Sequence, residues 1–410
     1  MSSHAPGTSA PEAAASARSG GGGLITPIAA TSEQAGDSAV QVPAPAILYS
    51  FRRCPYAIRA RLGLAAAGLR PGRELALREV SLRSKPPELL AASANGRVPV
   101  LVLPTGGPGA GGAEATGAEA TLASPDPAGA DQGLEAGRGS SGAVCRVLAE
   151  SLAILRWALE LRDEQGWLTG WSSVAQSEMA ALIAENDGAF KRHLDRFKYA
   201  GRYGSEGLEQ QQEHRVQGLA ILRAWNLRLL AGGWLLGSRA CLADMALLPF
   251  VRQFRLADPD GFDAERGLEA VHSWLQRFLD SDTLRAVMQE PWAPRSPWRS
   301  PGWLYHLALS EEWQGARAEG VYCRSSRGLS LQQVGFIHAS HAHQIAGTYR
   351  RFYADLPAGA VRLLTIDPAR LAAAGVAVVA EPAPESGELF PHLYGALPTE
   401  AVLRDEPYPP

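Results

Sequence analysis

The sequence predicts an α/β domain, then an all-helical domain, and then a small α+β domain. Three observations indicate this order. Over residues 46–103, short apolar runs flank one amphipathic stretch, which is the pattern of strands around a helix. From Ser151 to Gln289, apolar residues recur at helical spacing. After a proline-rich stretch, short β-like runs alternate with turns and short helical pieces up to residue 406.

These composition changes also predict domain boundaries. The expected divisions are a disordered tail at 1–45, an α/β domain at 46–162, an all-helical domain at 163–289, a linker at 290–302 and an α+β domain at 303–406.

Overall composition is that of a soluble globular protein. Hydrophobic residues make up 46% and charged residues 20%, and the formal net charge is -3, which gives no electrostatic reason to expect nucleic acid or an acidic membrane as a partner. No apolar run approaches the roughly 18 residues that would span a bilayer. The 4 cysteines are scattered, with neither a disulfide framework nor a CxxC pair for zinc. A reducing, cytoplasmic location without a metal is therefore expected.

Two segments have low complexity. The tail is rich in Ala, Ser, Gly and Pro, and its acidic residues and missing apolar core argue against a targeting peptide. Residues 104–142 separate two strand-like runs, "RVPVLVL" and "AVCRVL", so we expect a long insertion in a hairpin loop. A domain boundary there is the alternative.

The stretch "FRRCPYAIRARL" places a cysteine at a predicted helix start. Pro55 suits the first helical position, so Cys54 lies at the helix N-terminus, where free N–H groups favour a thiolate. Arg52 and Arg53 add to this if they turn inward. Such settings lower a cysteine pKa from about 8.5 to roughly 3.5–7.5. A buried, inert thiol is the alternative. Because Ala57 stands at the usual spacing for a resolving cysteine, a second thiol has to come from outside, and glutathione is the abundant one.

Two later motifs have chemistry that suits such a ligand. In "GRVPVL", a cis bond before Pro99 would turn the Val98 backbone toward the thiol, whereas a trans proline would simply begin an edge strand. In "ESLAIL", Glu150 can pair with an ammonium, and Ser151 with the helix N-terminus can hold a carboxylate. A γ-glutamyl group carries both charges. A simple helix cap is the alternative role for Ser151.

Together, "RRCPYAIRARL", "SKPPELL", "GRVPVL" and "ESLAILRWAL", followed by "LIAENDGAFKRHLDRFKY" and "CLADMALLPFVRQF", resemble the glutathione S-transferase superfamily, in its cysteine-type, omega-like bacterial branch. The resemblance covers roughly residues 46–290 apart from the insertion. It implies a thioredoxin-like glutathione-binding domain packed on a helical domain, with a homodimer plausible.

The resemblance also implies roles for individual residues. Cys54 would be the nucleophile that forms a mixed disulfide with glutathione. The tripeptide would be bound by Tyr56, Lys85, Val98, Pro99, Glu150 and Ser151. Core packing is an equal alternative for Tyr56, and a solvent-facing role for Lys85. The sequence departs from the usual family pattern at Cys241, where a serine or threonine helix cap is typical, and we expect this cysteine to be structural.

The last hundred residues resemble domain-of-unknown-function family nine-five-two, which is grouped with ADP-ribosyltransferase-like folds. The motifs are "WLYHLAL", "GFIHAS" and "ELFPHLYGALP". If this domain has a nucleotide-binding cleft, the expected residues are His306, His338, Glu388 and His392. Structural histidines are the alternative.

The function we predict is a glutathione-dependent thiol transferase or reductase that acts on small-molecule or protein mixed disulfides, with glutathione as co-substrate. Conjugation of glutathione to electrophiles is the first alternative. A non-catalytic binding or regulatory module, with a nucleotide-sensing C-terminal domain, is the second.

Overall fold

The computed structural model describes residues 45–104, 136–138, 144–384 and 386–409. The predicted tail up to residue 44 and most of the predicted insertion lie outside these residues. No helix within the described ranges is long and apolar enough to cross a membrane.

A five-stranded sheet with three helices forms the N-terminal region. Its strands are β1 (Ala46–Ser50), β2 (Leu75–Glu79), β3 (Val100–Leu103), β4 (Ala136–Arg138) and β5 (Val144–Leu148), in the order β2-β1-β3-β5-β4. Only β1 and β2 pair in parallel. The helices are α1 (Pro55–Ala66), α2 (Pro87–Ala92) and α3 (Ser151–Leu161). The two runs predicted to flank the insertion do pair as antiparallel strands, β3 with β5.

The helical region follows. It contains α4 (Ser173–Glu185), a π-helical turn (Asn186–Phe190), α5 (Lys191–Lys198), a 3₁₀ turn (Ala200–Tyr203), α6 (Gly204–Glu209), α7 (Gln211–Leu229), α8 (Leu242–Arg255), α9 (Pro259–Asp263), α10 (Glu269–Leu279) and α11 (Asp282–Val287). One hydrophobic core runs from the sheet region into these helices. Helix α1 packs on both α3 and α8, so it lies at the boundary between the sheet region and the helical region.

The residues after α11 pack against the N-terminal sheet. The Trp298 ring lies 4.3 Å from the Arg78 guanidinium and edge-on to Tyr49, and Ser300 Oγ donates to the Glu88 carboxylate of α2. Trp298 also joins a small apolar cluster beside β1, β2 and β3. The proline-rich segment, residues 290–302, therefore packs against the sheet region through Trp298 and Ser300.

The C-terminal region is α+β. Its strands are β6 (Leu304–Leu309), β7 (Val321–Tyr322), β8 (Arg324–Ser326), β9 (Leu329–Ser330), β10 (Ile337–His338), β11 (Val361–Ile366), β12 (Ala377–Pro382), β13 (Leu389–Tyr394), β14 (Leu397–Pro398) and β15 (Val402–Pro407). Its helices are α12 (Ser310–Glu319), α13 (Leu331–Val334), α14 (Ile345–Phe352) and α15 (Pro368–Ala373).

Two three-stranded sheets dominate this region, in the orders β15-β11-β6 and β10-β13-β12. Alternate residues of β6 and β11 belong to different hydrophobic clusters, so these strands are buried on both faces. The fold class is thus the predicted one: a thioredoxin-type domain, a helical domain and a small α+β region.

Candidate functional site

Cys54 is the N-cap residue of α1, as the sequence predicts. Its backbone is extended, Pro55 occupies the first helical turn, and the Sγ atom lies 3.9 Å from the carbonyl oxygen of Val98. The peptide bond between Val98 and Pro99 is cis. The thiol and the turn before β3 are therefore in contact, although they lie 44 positions apart in the chain.

The pKa of the Cys54 thiol is raised, whereas the sequence predicted that it is lowered. Burial is the largest cause, since it disfavours the charged thiolate. The backbone N–H groups of Ala57 and Tyr56 act in the opposite direction, as expected at a helix N-terminus, but they do not outweigh burial. The helix N-terminus therefore favours the thiolate, but the burial of the thiol has the larger effect.

The cations that act on the thiol also differ from the predicted ones. Lys191 of α5 and Arg61 of α1 favour the thiolate. Arg61 is buried on α1, while Lys191 belongs to the helical region. Both regions of the protein therefore act on this cysteine.

The backbone of Val98 is available for a ligand. Its carbonyl oxygen accepts only from Cys54, and its N–H has no acceptor among the described residues. A backbone segment with a free N–H and a carbonyl oxygen that has room for a second hydrogen bond can pair with a peptide-like ligand. Pro99 is buried and leads into β3.

The start of α3 is a second polar part of the site. Glu150 is the N-cap residue and makes no capping bond, and the N–H groups of residues 151–153 have no acceptor among the described residues. Ser151 is 2% exposed, so it is largely covered, while Glu150 is exposed. The pKa of Glu150 is raised. The largest cause is the loss of hydration of its carboxylate next to the protein, and the second is the charge of Asp187.

Asp187, in the π-helical turn, was not predicted as a site residue. Its carboxylate forms a bidentate pair with Arg59, with Nη1 to Oδ2 at 2.8 Å and Nη2 to Oδ1 at 2.5 Å. Arg59 is 1% exposed and also donates to the Ala246 carbonyl and to Ser151 Oγ. The Asp187 side chain keeps 24% of its surface exposed. The sequence signal was an Asn-Asp pair within a helical stretch, which polar side chains usually disfavour.

Lys85 and Tyr56 are two further residues that the sequence predicted for the site, and the Tyr56 ring borders this polar centre, 5.6 Å from the Arg59 guanidinium. Lys85 is half-buried and its Nζ donates to the Asn95 carbonyl at 3.0 Å. Tyr56 packs edge-on against Phe250, with ring centroids 4.8 Å apart, and Lys191 Nζ lies 5.4 Å from its ring. Tyr56 is thus a packing residue whose ring also borders the cations near the thiol.

Cys241 is structural, in keeping with the sequence analysis. It is completely buried at the N-cap of α8, and its N–H donates to Asp244 at 2.9 Å. Burial, followed by the Asp244 charge, raises the pKa of the Cys241 thiol. No three His, Cys, Asp or Glu side chains within the described ranges are grouped to hold a metal ion.

Three of the four predicted C-terminal residues are in contact, with His338 between His306 and His392. The rings of His338 and His392 lie 5.1 Å apart. His306 is 3% exposed instead of lining a cleft, and both its ring nitrogens are bonded, to the His338 carbonyl and to Tyr322. Burial lowers its pKa to about 4. Glu388 accepts a hydrogen bond from Gln344.

His338 and His392 each bond a side chain that no sequence motif indicates. His392 Nδ1 bonds Glu381 at 2.5 Å, and the Phe336 ring stacks on the His392 ring at 3.9 Å. His338 Nδ1 lies 3.0 Å from Ser325 Oγ. A nucleotide-binding cleft and an ADP-ribosyltransferase-like fold stay predictions.

Three family models match the chain. Residues 48–115 match the glutathione S-transferase N-terminal domain, residues 208–277 the glutathione S-transferase C-terminal domain, and residues 307–405 a protein family of unknown function, DUF952. No match was found among curated proteins.

The chain is also similar to several solved structures. A glutathione transferase family member from Pseudomonas fluorescens, with two glutathione bound, is 19% identical with a TM-score of 0.44, over 61% of this chain and 95% of that one. Glutathione transferase Omega 3C from Trametes versicolor is 18% identical with a TM-score of 0.42, over 61% and 87%. Protein CC0527 from Caulobacter crescentus is 27% identical with a TM-score of 0.22, over 26% and 84%.

With the thioredoxin-type sheet, the helical region and the family matches in agreement, the chain carries the N-terminal and C-terminal domain types of a glutathione S-transferase, followed by a DUF952 domain.

Proposed function

We propose that the protein is a glutathione-dependent thiol transferase in which Cys54 is the nucleophile. The observation that carries this proposal is the position of a single thiol at the N-terminus of α1, beside the free backbone of Val98. The matches to the N-terminal and C-terminal glutathione S-transferase domain models support the general activity class. The position of the thiol supports the mechanism.

Glutathione fits the polar groups around the thiol. The Val98 backbone would pair with the cysteinyl part, and the N–H groups at the start of α3, with Ser151, would hold the γ-glutamyl carboxylate. The γ-glutamyl ammonium would lie between Glu150 and Asp187, whose charges already act on each other. Lys85 would supply a point charge for the glycyl carboxylate.

The proposed reaction has two disulfide exchanges. In the first, the Cys54 thiolate attacks the glutathione sulfur of a mixed disulfide, a Cys54–glutathione disulfide forms, and the substrate leaves as a thiolate. In the second, a glutathione thiolate attacks that disulfide, which yields glutathione disulfide and free Cys54. One mixed disulfide is reduced for each glutathione that enters, and one glutathione disulfide is released. The raised Cys54 pKa means that the first step accelerates as pH rises above neutral.

Conjugation of glutathione to electrophiles is a second candidate, because one observation favours it. A thiol with a raised pKa stays protonated at neutral pH and can donate a hydrogen bond to a bound glutathione thiolate instead of attacking. In that case glutathione is the nucleophile and Cys54 is a stabilising group.

One pair of assays separates the two candidates. Turnover of a glutathione mixed disulfide and of a chlorinated aromatic electrophile is measured for wild type, for Cys54→Ser and for Cys323→Ser as the control at an exposed cysteine. We expect Cys54→Ser to lose the first activity and the control to keep it. Full reductase activity in Cys54→Ser would exclude Cys54 as the nucleophile.

We also infer a reducing compartment such as the cytoplasm, because the proposed cycle consumes reduced glutathione and the described cysteines Cys54, Cys241 and Cys323 are free thiols.

A further inference from the structure

The backbone of Arg52, two residues before the thiol, is held from both sides. Its N–H donates to Glu79 Oε1 at 2.7 Å, and its carbonyl oxygen accepts from Arg61 Nη2 at 2.8 Å. The N–H of Cys54 then donates back to the Phe51 carbonyl at 2.9 Å. The turn that presents the thiol is therefore fixed by two side chains from outside it.

Both of these side chains are buried and charged. Glu79 ends β2 and is 5% exposed, and Arg61 lies on α1 and is completely buried. Each has a polar atom without a hydrogen-bond partner within the described ranges, Oε2 of Glu79 and Nε of Arg61. Burial of such a pair is costly, so a core built for stability alone would favour apolar residues here.

The segment after α11 reaches the same pair. Arg61 Nη1 donates to the Trp292 carbonyl at 3.0 Å, and the Trp298 N–H donates to the Glu79 carbonyl at 2.6 Å. The two residues thus connect the turn before Cys54 with the segment that leads to the C-terminal region.

We propose that Glu79 and Arg61 are positioning residues, which hold the Arg52 backbone and thereby set the place and the electrostatic surroundings of the Cys54 thiol. This inference rests on the proposed function, in which Cys54 is the reactive group. Neither residue touches the reacting sulfur atoms; both act through the turn that carries the thiol.

Removing the charge of either residue should move the pKa of the Cys54 thiol, in opposite directions for the two residues. The Arg61 charge lowers the pKa of Cys54, and Glu79 is the opposite charge that acts most strongly on Arg61. Neutralising Glu79 leaves the Arg61 charge unopposed, so the thiol should ionise at lower pH. Removing the Arg61 charge should move ionisation to higher pH. Other titratable or charged groups near this centre are Tyr56 and Lys191, which act on the thiol, Arg252, which acts on Arg61, and Arg52, whose charge acts on Glu79.

The experiment is the pH dependence of Cys54 alkylation by iodoacetamide in the full chain, read by mass spectrometry. For Glu79→Gln we expect an acid shift of the midpoint by about half a unit to one unit. For Arg61→Met we expect an alkaline shift. Glu74→Gln is the control, since Glu74 is exposed and its carboxylate accepts from the Arg70 N–H instead of from the turn before Cys54. Unmoved midpoints in both test variants would overturn the proposal.

Turnover provides the positional test. Glutamine keeps an acceptor for the Arg52 N–H and alanine does not, so Glu79→Gln should retain kcat within about threefold while Glu79→Ala loses roughly tenfold to a hundredfold. Equal kcat values in the two variants would also overturn positioning. If wild type shows no glutathione-dependent turnover, the proposed function fails, and the alkylation midpoints still decide the role of the pair.

Discussion

Glu79→Gln should change how the stability of the protein depends on pH. Burial raises the pKa of Glu79 from 4.5 to about 7, even though the Arg52 N–H and the Arg61 charge act in the opposite direction. Because the folded-state pKa lies above the unfolded one, the folded state binds the proton more tightly. The contribution of Glu79 to stability is fully present below pH 4.5 and is lost as pH rises from 4.5 through about 7. Above that pH it changes no further.

The size of this effect follows from the shift. A change of about 2.5 units, at about 1.4 kcal/mol per unit, corresponds to about 3.5 kcal/mol at most. Glutamine is neutral throughout. The free energy of unfolding of the variant, relative to wild type, should therefore rise by up to about 3 kcal/mol between pH 4.5 and about pH 8.

Urea unfolding of both proteins at the two pH values, followed by circular dichroism, measures this difference. Subtracting the stability difference at one pH from that at the other cancels every effect of the substitution that does not depend on pH. Glu74→Gln is the control, because backbone hydrogen bonds lower the pKa of that exposed carboxylate and the sign of its effect is opposite. A relative stability that stays constant or falls toward alkaline pH would refute the reasoning about Glu79.

Three further changes probe other parts of the structure. Asp187→Asn should raise KM for glutathione about tenfold, but not for an analogue lacking the γ-glutamyl amino group; equal effects on both would contradict ammonium binding. Gly63→Ala should cost about 1–3 kcal/mol in thermal unfolding, since its Cβ would lie 2.6 Å from Leu155 Cδ1; Gly315→Ala, in open space, is the control. Cys241→Ser should keep or raise stability by up to about 1 kcal/mol, because a hydroxyl accepts the capping bond better, and a large loss in the same assay would contradict this.

Local sequence signals predicted much of the site. Pro55 directly after Cys54 predicts a helix start at the thiol, and the strand-like run before it predicts the strand that leads there. Glu150 and Ser151 stand where a strand passes into a helix, so their position also follows from neighbours in the chain.

What the sequence did not reveal depends on contacts between distant residues. Arg59 and Asp187 are 128 positions apart, and nothing local to either predicts their pairing. The raised pKa of Cys54 has the same origin, since the burial that causes it comes from packing in three dimensions. His306 was predicted from its motif alone, which does not distinguish a buried histidine from one in a cleft.

The contacts of residues 292–302 with the sheet region determine where the chain can be truncated. A truncation at Gln289, where the helices have ended, would remove Trp292 and Trp298 from Arg61 and Glu79 and would expose the apolar cluster beside β2. A truncation after Gly302 keeps those contacts and the bonds of Ser300 and Gly302 to Glu88. The unit that can be excised with the turn before Cys54 intact is thus longer than its helices and strands alone would suggest.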